Sequence, residues 1–178
     1  MPRYAWVFGC IGSITSLRAL TALALIAAAL PASSAIAADR MTQPLRFFEG
    51  RTEIVSIVKV VMKKPYRSRT IGRGQILPDG SLSLVQQVNE DGQPPHQRTW
   101  RIKQTGPGKF AGTMSEAVGP VTVEELGNQF RFKFRMKGSL SVEQWVTPQA
   151  DGRSAQSKIT VKKYGMRVAS SDGTIRKL

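Results

Sequence analysis

Three groups of side chains in this sequence have the types and spacing for chemistry, and all three point to binding. The first is cationic: Lys59, Lys63, Lys64, Arg67, Arg69 and Arg73 fall between positions 59 and 73, around Pro65 and Tyr66. Cations gathered on one connection attract an anion, and Lys63, Lys64 and Arg67 are the candidates for its head group. In the second group, Phe130, Phe132, Phe134 and Met136 interleave with Arg131, Lys133, Arg135 and Lys137. In a strand successive side chains point to opposite faces, so the rings share one face and the cations the other. The third group is Arg98, Trp100 and Ile102, which share a face by the same rule. An arginine turned toward an apolar interior needs a carboxylate or an anionic ligand. Trp145 joins Trp100, Phe130, Phe132 and Phe134 as an inner-face candidate. Each group also has a plain reading: a packed core face, a solvated face, and a charged loop that keeps the chain soluble.

Catalytic constellations are harder to find. Nucleophilic catalysis needs a nucleophile, a base and a group that orients the base. The one Cys is Cys10, and the one His is His96, just after Pro94-Pro95 in an expected loop. A solvated loop histidine is the plain reading, and no catalytic residue is assigned. Glu49 and Glu53 are four residues apart, about 13 Å along a strand, and Glu124 and Glu125 are adjacent on opposite faces. Glu116 and Glu143 could converge with the others only through the fold. Gly72-Arg73-Gly74 lacks the further glycine and lysine of a phosphate loop. One His and one Cys cannot supply the four ligands, or about that number, of structural zinc, and no calcium-loop spacing occurs. Neither a metal nor a cofactor is expected.

The elements that must position these residues are strands. After Asp39 apolar residues alternate, and no long window shows helical spacing. Asp79-Gly80, Asp91-Gly92, Gly106-Pro107-Gly108, Gly127-Asn128, Asp151-Gly152 and Asp172-Gly173 are turn signals. They separate expected strands at 46–61, 69–77, 81–89, 97–105, 109–115, 121–126, 129–137, 140–147 and 158–168. Short connections imply sequential antiparallel pairing. An open sheet of about nine strands has two raw edges, and closing it into an up-and-down barrel removes them. The expected fold is therefore all-β, a single antiparallel barrel of about nine strands, with a β-sandwich as the alternative.

Residues 1–37 read as a signal peptide. Arg3 and Arg18 are the only charges before Asp39, Ala19 to Leu30 is small and apolar, and Ala35-Ile36-Ala37 offers small residues to a peptidase. Cleavage after Ala37 would leave 38–178 as one domain and remove Cys10. An uncleaved inner-membrane anchor is the alternative. The formal net charge is +14, and losing the leader lowers it by only two. A periplasmic or secreted protein does not ordinarily meet nucleic acid. Its expected partner is instead an acidic lipid or an anionic envelope surface, met peripherally.

Phe47-Phe48-Glu49-Gly50, Arg98-Thr99-Trp100-Arg101-Ile102, Gly108-Lys109-Phe110-Ala111-Gly112, Val118-Gly119, Gly127-Asn128, Trp145 and Lys163-Tyr164-Gly165-Met166-Arg167-Val168 form an ordered series. That order and spacing resemble an uncharacterised bacterial envelope family, domain of unknown function 3833. The resemblance implies a lipocalin-like (calycin-like) barrel in the envelope, and no activity to carry over. Members tend to carry acidic pairs where this chain has Met114-Ser115-Glu116 and Glu143-Gln144. The sequence reading is a non-enzymatic barrel that binds a lipid-like or amphiphilic anion. Two rivals stand beside it: a solid-cored interaction module, and a hydrolase acting on an anionic lipid or glycan through convergent glutamates.

Overall fold

The structure is a computed structural model that describes residues 44–178. The expected leader, its cleavage site and Cys10 lie outside the described residues. A helical turn, α1 (Pro44–Phe47), precedes ten strands: β1 (Gly50–Val60), β2 (Tyr66–Ile76), β3 (Leu82–Glu90), β4 (His96–Gly106), β5 (Lys109–Met114), β6 (Val121–Leu126), β7 (Gln129–Met136), β8 (Leu140–Pro148), β9 (Ser154–Lys163) and β10 (Met166–Lys177). Each strand pairs antiparallel with its sequence neighbours, and β10 returns to pair with β1. The result is a closed up-and-down barrel, which disposes of the sandwich alternative. Closure pairs every edge, so no backbone ladder is left exposed along the sheet.

Several boundaries differ from the sequence expectation, and three of the differences have a local reason. The segment 158–168 is not one strand. It holds the end of β9, a turn at Tyr164-Gly165 and the start of β10. Tyr164 and Gly165 both adopt positive φ, 50° and 84°. Conversely, Asp172-Gly173 is not a turn but lies inside β10. Gly173 pairs with Ser56, and a Cβ there would come within 2.4 Å of the Ser56 Cβ. That glycine serves close approach of two strands rather than chain reversal. The segment from Arg46 also opens as the helical turn α1, with β1 starting only at Gly50.

The alternation expected for β7 holds. Phe130 and Phe132 are buried, Phe134 is half-buried, and Lys133 and Arg135 are exposed on the other side. Inward side chains differ, however, between the two ends of the barrel. At one end Leu82, Ile102, Phe110, Val121, Val123 and Phe132 interdigitate in a continuous core. The chain of α1 closes that end: Leu45, Phe47 and Phe48 are all buried in the same core. Phe48 meets Phe132 edge-on, with ring centroids 6.3 Å apart. The α1 chain passes directly over β2 at Gly74, where a Cβ would lie 1.9 Å from the Phe48 carbonyl oxygen. Only glycine permits that approach. Each fully buried Leu, Val or Phe contributes about 1.5–3 kcal/mol.

Toward the other end several inward positions become small or polar. Ser56, Ser68, Thr70, Ser157 and Ser171 stand where the packed end has leucine, valine and phenylalanine. Side chains this short cannot meet across a barrel. The core therefore stops at Trp100 and Phe134, which meet edge-on at 5.6 Å.

Candidate functional site

Above Trp100 and Phe134 the barrel is hollow. A cavity of about 430 Å³ opens at the end carrying the β1–β2, β3–β4, β7–β8 and β9–β10 turns. One side is apolar: Val58, Met136, Leu140, Val142, Ile159 and Val161 line it. The other side carries Tyr66, Glu90, His96, Arg98 and Glu116. This is the usual composition of a small-molecule pocket, apolar walls with a few polar groups that fix orientation.

Strand β4 delivers most of the polar cluster. His96, Arg98 and Trp100 are two residues apart, so all three project inward. Trp100 is 8% exposed, and its indole N–H donates to Gln86 Oε1 at 2.8 Å, satisfying both groups at the cavity floor. Across the floor Gln144 Nε2 donates to Ser157 Oγ at 3.0 Å. Glu116 comes from the connection after β5. Its backbone neighbours anchor it: Ser115 N–H donates to Thr99 O at 3.0 Å, and Val118 N–H donates to Arg135 O at 2.8 Å. Arg98 Nε and Nη2 both donate to Glu116 Oε2, at 3.1 and 2.8 Å. His96 Nε2 lies 3.3 Å from Glu116 Oε1. One carboxylate thus holds two nitrogen side chains in a fixed array at the mouth. Beside them Tyr66 keeps its phenolic proton above the ordinary 10.0, raised by burial and then by the charge of Glu90.

The structure separates the sequence candidates. Arg98, Trp100 and Phe134 line the cavity, whereas Phe130 and Phe132 lie below it in the packed core. Trp145 is a correction. It pairs in register with Arg131 on the outer face, lies 5.5 Å from that guanidinium, and donates to Glu143 Oε1 at 2.8 Å. Its odd position on β8 sets it opposite Val142, Gln144 and Val146, which face inward. Lys63, Lys64 and Arg67 are exposed and do not line the cavity: the two lysines sit in the β1–β2 turn and Arg67 on the outer face of β2. The glutamates that the rival hydrolase reading would bring together are mostly dispersed, and the second carboxylate in the cavity is Glu90, which the sequence did not single out. Of Glu49, Glu53, Glu116, Glu124, Glu125 and Glu143, only Glu116 lines the cavity. Glu53 pairs with Arg69 and Glu124 with Arg131. His96, expected in a solvated loop, instead opens β4 and lines the cavity. Among the described residues no group of His, Cys, Asp or Glu is placed to hold a metal ion.

The fold and this half-open interior define a lipocalin-like barrel. The chain belongs to the DUF3833 family, described as a protein of unknown function, whose pattern matches residues 28–177. No curated protein matches it by sequence. Among solved structures it is similar to the S-type phycobiliprotein lyase CPES from Guillardia theta, with 8% identity, a TM-score of 0.61, and coverage of 75% of this chain and 90% of that one. It is similar to Rv2717c from M. tuberculosis, with 12% identity, a TM-score of 0.57, and coverage of 75% and 94%. A protein of unknown function from the DUF3598 family of Nostoc punctiforme matches at 13% identity and a TM-score of 0.55. That match covers 76% of this chain and 49% of the other. At such identities the likeness concerns the fold. It nevertheless corrects one expectation. A barrel of this fold occurs in a lyase, so the lack of familiar catalytic motifs is no ground for reading the chain as a non-enzyme.

Proposed function

We propose that the open half of this barrel binds an amphiphilic acid, with its apolar tail among Val58, Val142, Ile159 and Val161 and its anionic head near Arg98. One observation carries this reading: an apolar cavity whose mouth presents a half-buried arginine. Glu116 engages Nε and Nη2 of that arginine, leaving other guanidinium donors for a ligand. Each methylene of the tail taken out of water contributes about 0.8 kcal/mol. An ionic hydrogen bond to the head contributes about 2 kcal/mol. The apolar run and small-residue site within residues 1–37 support action in the periplasm or outside the cell. The acids found there as lipids are then the natural ligand class.

The test is native mass spectrometry of the protein recovered from its own host. A co-purifying acidic lipid, reduced in occupancy by Arg98→Met and displaced by Ile159→Trp, is the expected result. An empty cavity in wild type, with added fatty acid failing to bind, refutes the reading.

A second reading rests on the His96–Glu116 contact and on the lyase among the similar structures. His96, oriented by Glu116, would move a proton on the bound ligand. His96→Gln would then leave ligand occupancy intact while stopping turnover.

A further inference from the structure

The open end carries a feature that the cavity does not use. The β1–β2 and β9–β10 turns stand side by side, joined where Val61 N–H donates to Val168 O at 3.0 Å. Their tips are apolar and bare. Met62 is 99% exposed, Tyr164 77%, and Met166 69%. Both Met62 and Tyr164 hold left-handed backbone, with φ of 63° and 50°. That conformation disfavours any residue with a Cβ. Glycine or asparagine would relieve it, and large apolar side chains stand there instead. The tight turns demand that backbone, but they do not demand large apolar side chains at those positions.

The two turns themselves carry only positive charge; the acids at this end are Glu116 and, beside the β3–β4 turn, Glu90 and Asp91, the last accepting from the Arg67 N–H at 3.2 Å. Lys63, Lys64, Lys137, Lys162, Lys163 and Arg167 are exposed about the tips. No Asp or Glu occurs in 54–78, 126–142 or 152–171, the stretches that form the β1–β2, β7–β8 and β9–β10 hairpins around their turns. Asp79 and Asp151 instead belong to turns at the packed end. Large apolar side chains projecting from a field of lysines match the boundary of an anionic bilayer. Apolar tips enter the acyl region while lysine stems reach back to the phosphates.

We propose that these two turns dock the barrel, mouth first, on an anionic lipid bilayer. Nucleic acid would satisfy the cations but not Met62, Tyr164 and Met166. Docking needs no ligand in the cavity, so it can fail or hold independently of the binding proposed above. It would set the cavity mouth against the membrane, because Val60, Tyr66, Val161 and Ala169 line both the cavity and the bases of these turns.

An environment-sensitive dye tests this on the full chain carrying Cys10→Ser. It is attached at Met62→Cys, at Tyr164→Cys, or at Asn128→Cys in the β6–β7 turn of the other end. Phosphatidylglycerol vesicles should shift the emission of the first two to the blue and leave the third unchanged. Phosphatidylcholine vesicles should shift none. Each of Lys63→Gln, Lys64→Gln and Lys163→Gln should raise the lipid concentration for half-maximal shift roughly fivefold. Ile159→Trp, which fills the cavity, should dock like wild type. The proposal is overturned if positions 62 and 164 do not respond, or if position 128 responds equally. A response to a DNA oligonucleotide in place of vesicles overturns it as well.

Discussion

The two halves of this barrel are built from the same strands and have opposite interiors. Strand β8 shows the contrast within a few residues: Val146 is 1% exposed in the packed core, while Val142, four residues away on the same face, lines the cavity. Hydrophobicity does not separate them, since both are valine. What differs is what stands across the barrel. At the packed end α1 and the residue after it insert Phe47 and Phe48, and β7 supplies Phe130 and Phe132. At the open end serines at 56, 68, 157 and 171 are too short to span the gap. Stability is thus concentrated at one end, which leaves the other free to be shaped for a ligand.

Phe132→Ala should give the largest effect. It removes a buried ring that Phe48 contacts edge-on. The expected loss is about 3–5 kcal/mol in denaturant unfolding. A loss below about 1 kcal/mol would mean that α1 does not plug the barrel.

Valine-to-phenylalanine exchanges should give a smaller and more discriminating effect. Val146→Phe forces a ring into filled space and should cost about 1–3 kcal/mol. Val142→Phe grows into the cavity and should leave the unfolding midpoint nearly unchanged while weakening ligand binding. Equal costs at the two positions would erase the distinction between the halves.

The smallest effect is expected at the turn between β2 and β3. Asp79 accepts from the hydroxyl and N–H of Ser81, and Arg101 lies 3.3 Å away. These contacts, the Ser81 hydroxyl first, hold its carboxyl down to about 2 from an ordinary 3.8. A depressed folded-state value means stability present above pH 4 or so and lost as pH falls toward 2. Asp79→Asn should lower the thermal midpoint at pH 7, and the gap from wild type should close between about pH 4 and 2. A gap independent of pH would remove the carboxylate from the account.

Much of the barrel was legible because alternation is a strong signal. Phe130, Phe132 and Phe134 against Arg131, Lys133 and Arg135 admit one arrangement on a closed sheet. The β9–β10 turn was not legible, because Tyr164 at positive φ carries no turn signature. Asp172-Gly173 misled because glycine serves tight strand contact as well as turns. At the site, Arg98 and Trp100 were found by parity along β4. Glu116 was named among glutamates that could converge, but its pairing with Arg98 was hidden by a single irregularity. The β4–β5 ladder pairs Trp100 with Met114, and one more step of two residues brings Arg98 across from Glu116. That register exists only because a bulge lies between Gln104 and Gly106. A regular hairpin closed at Gly106 and Lys109 would face Arg98 with Ala117 instead. His96 was lost with it, since only the partner reveals it as more than a loop residue.

The contrast between the halves is tested most directly by methyl NMR during titration with a long-chain fatty acid. Binding in the open half predicts saturable shifts at Val58, Val142, Ile159 and Val161, with Val121, Val123 and Val146 unmoved. Shifts spread evenly over both groups, or none at the first four, would contradict it.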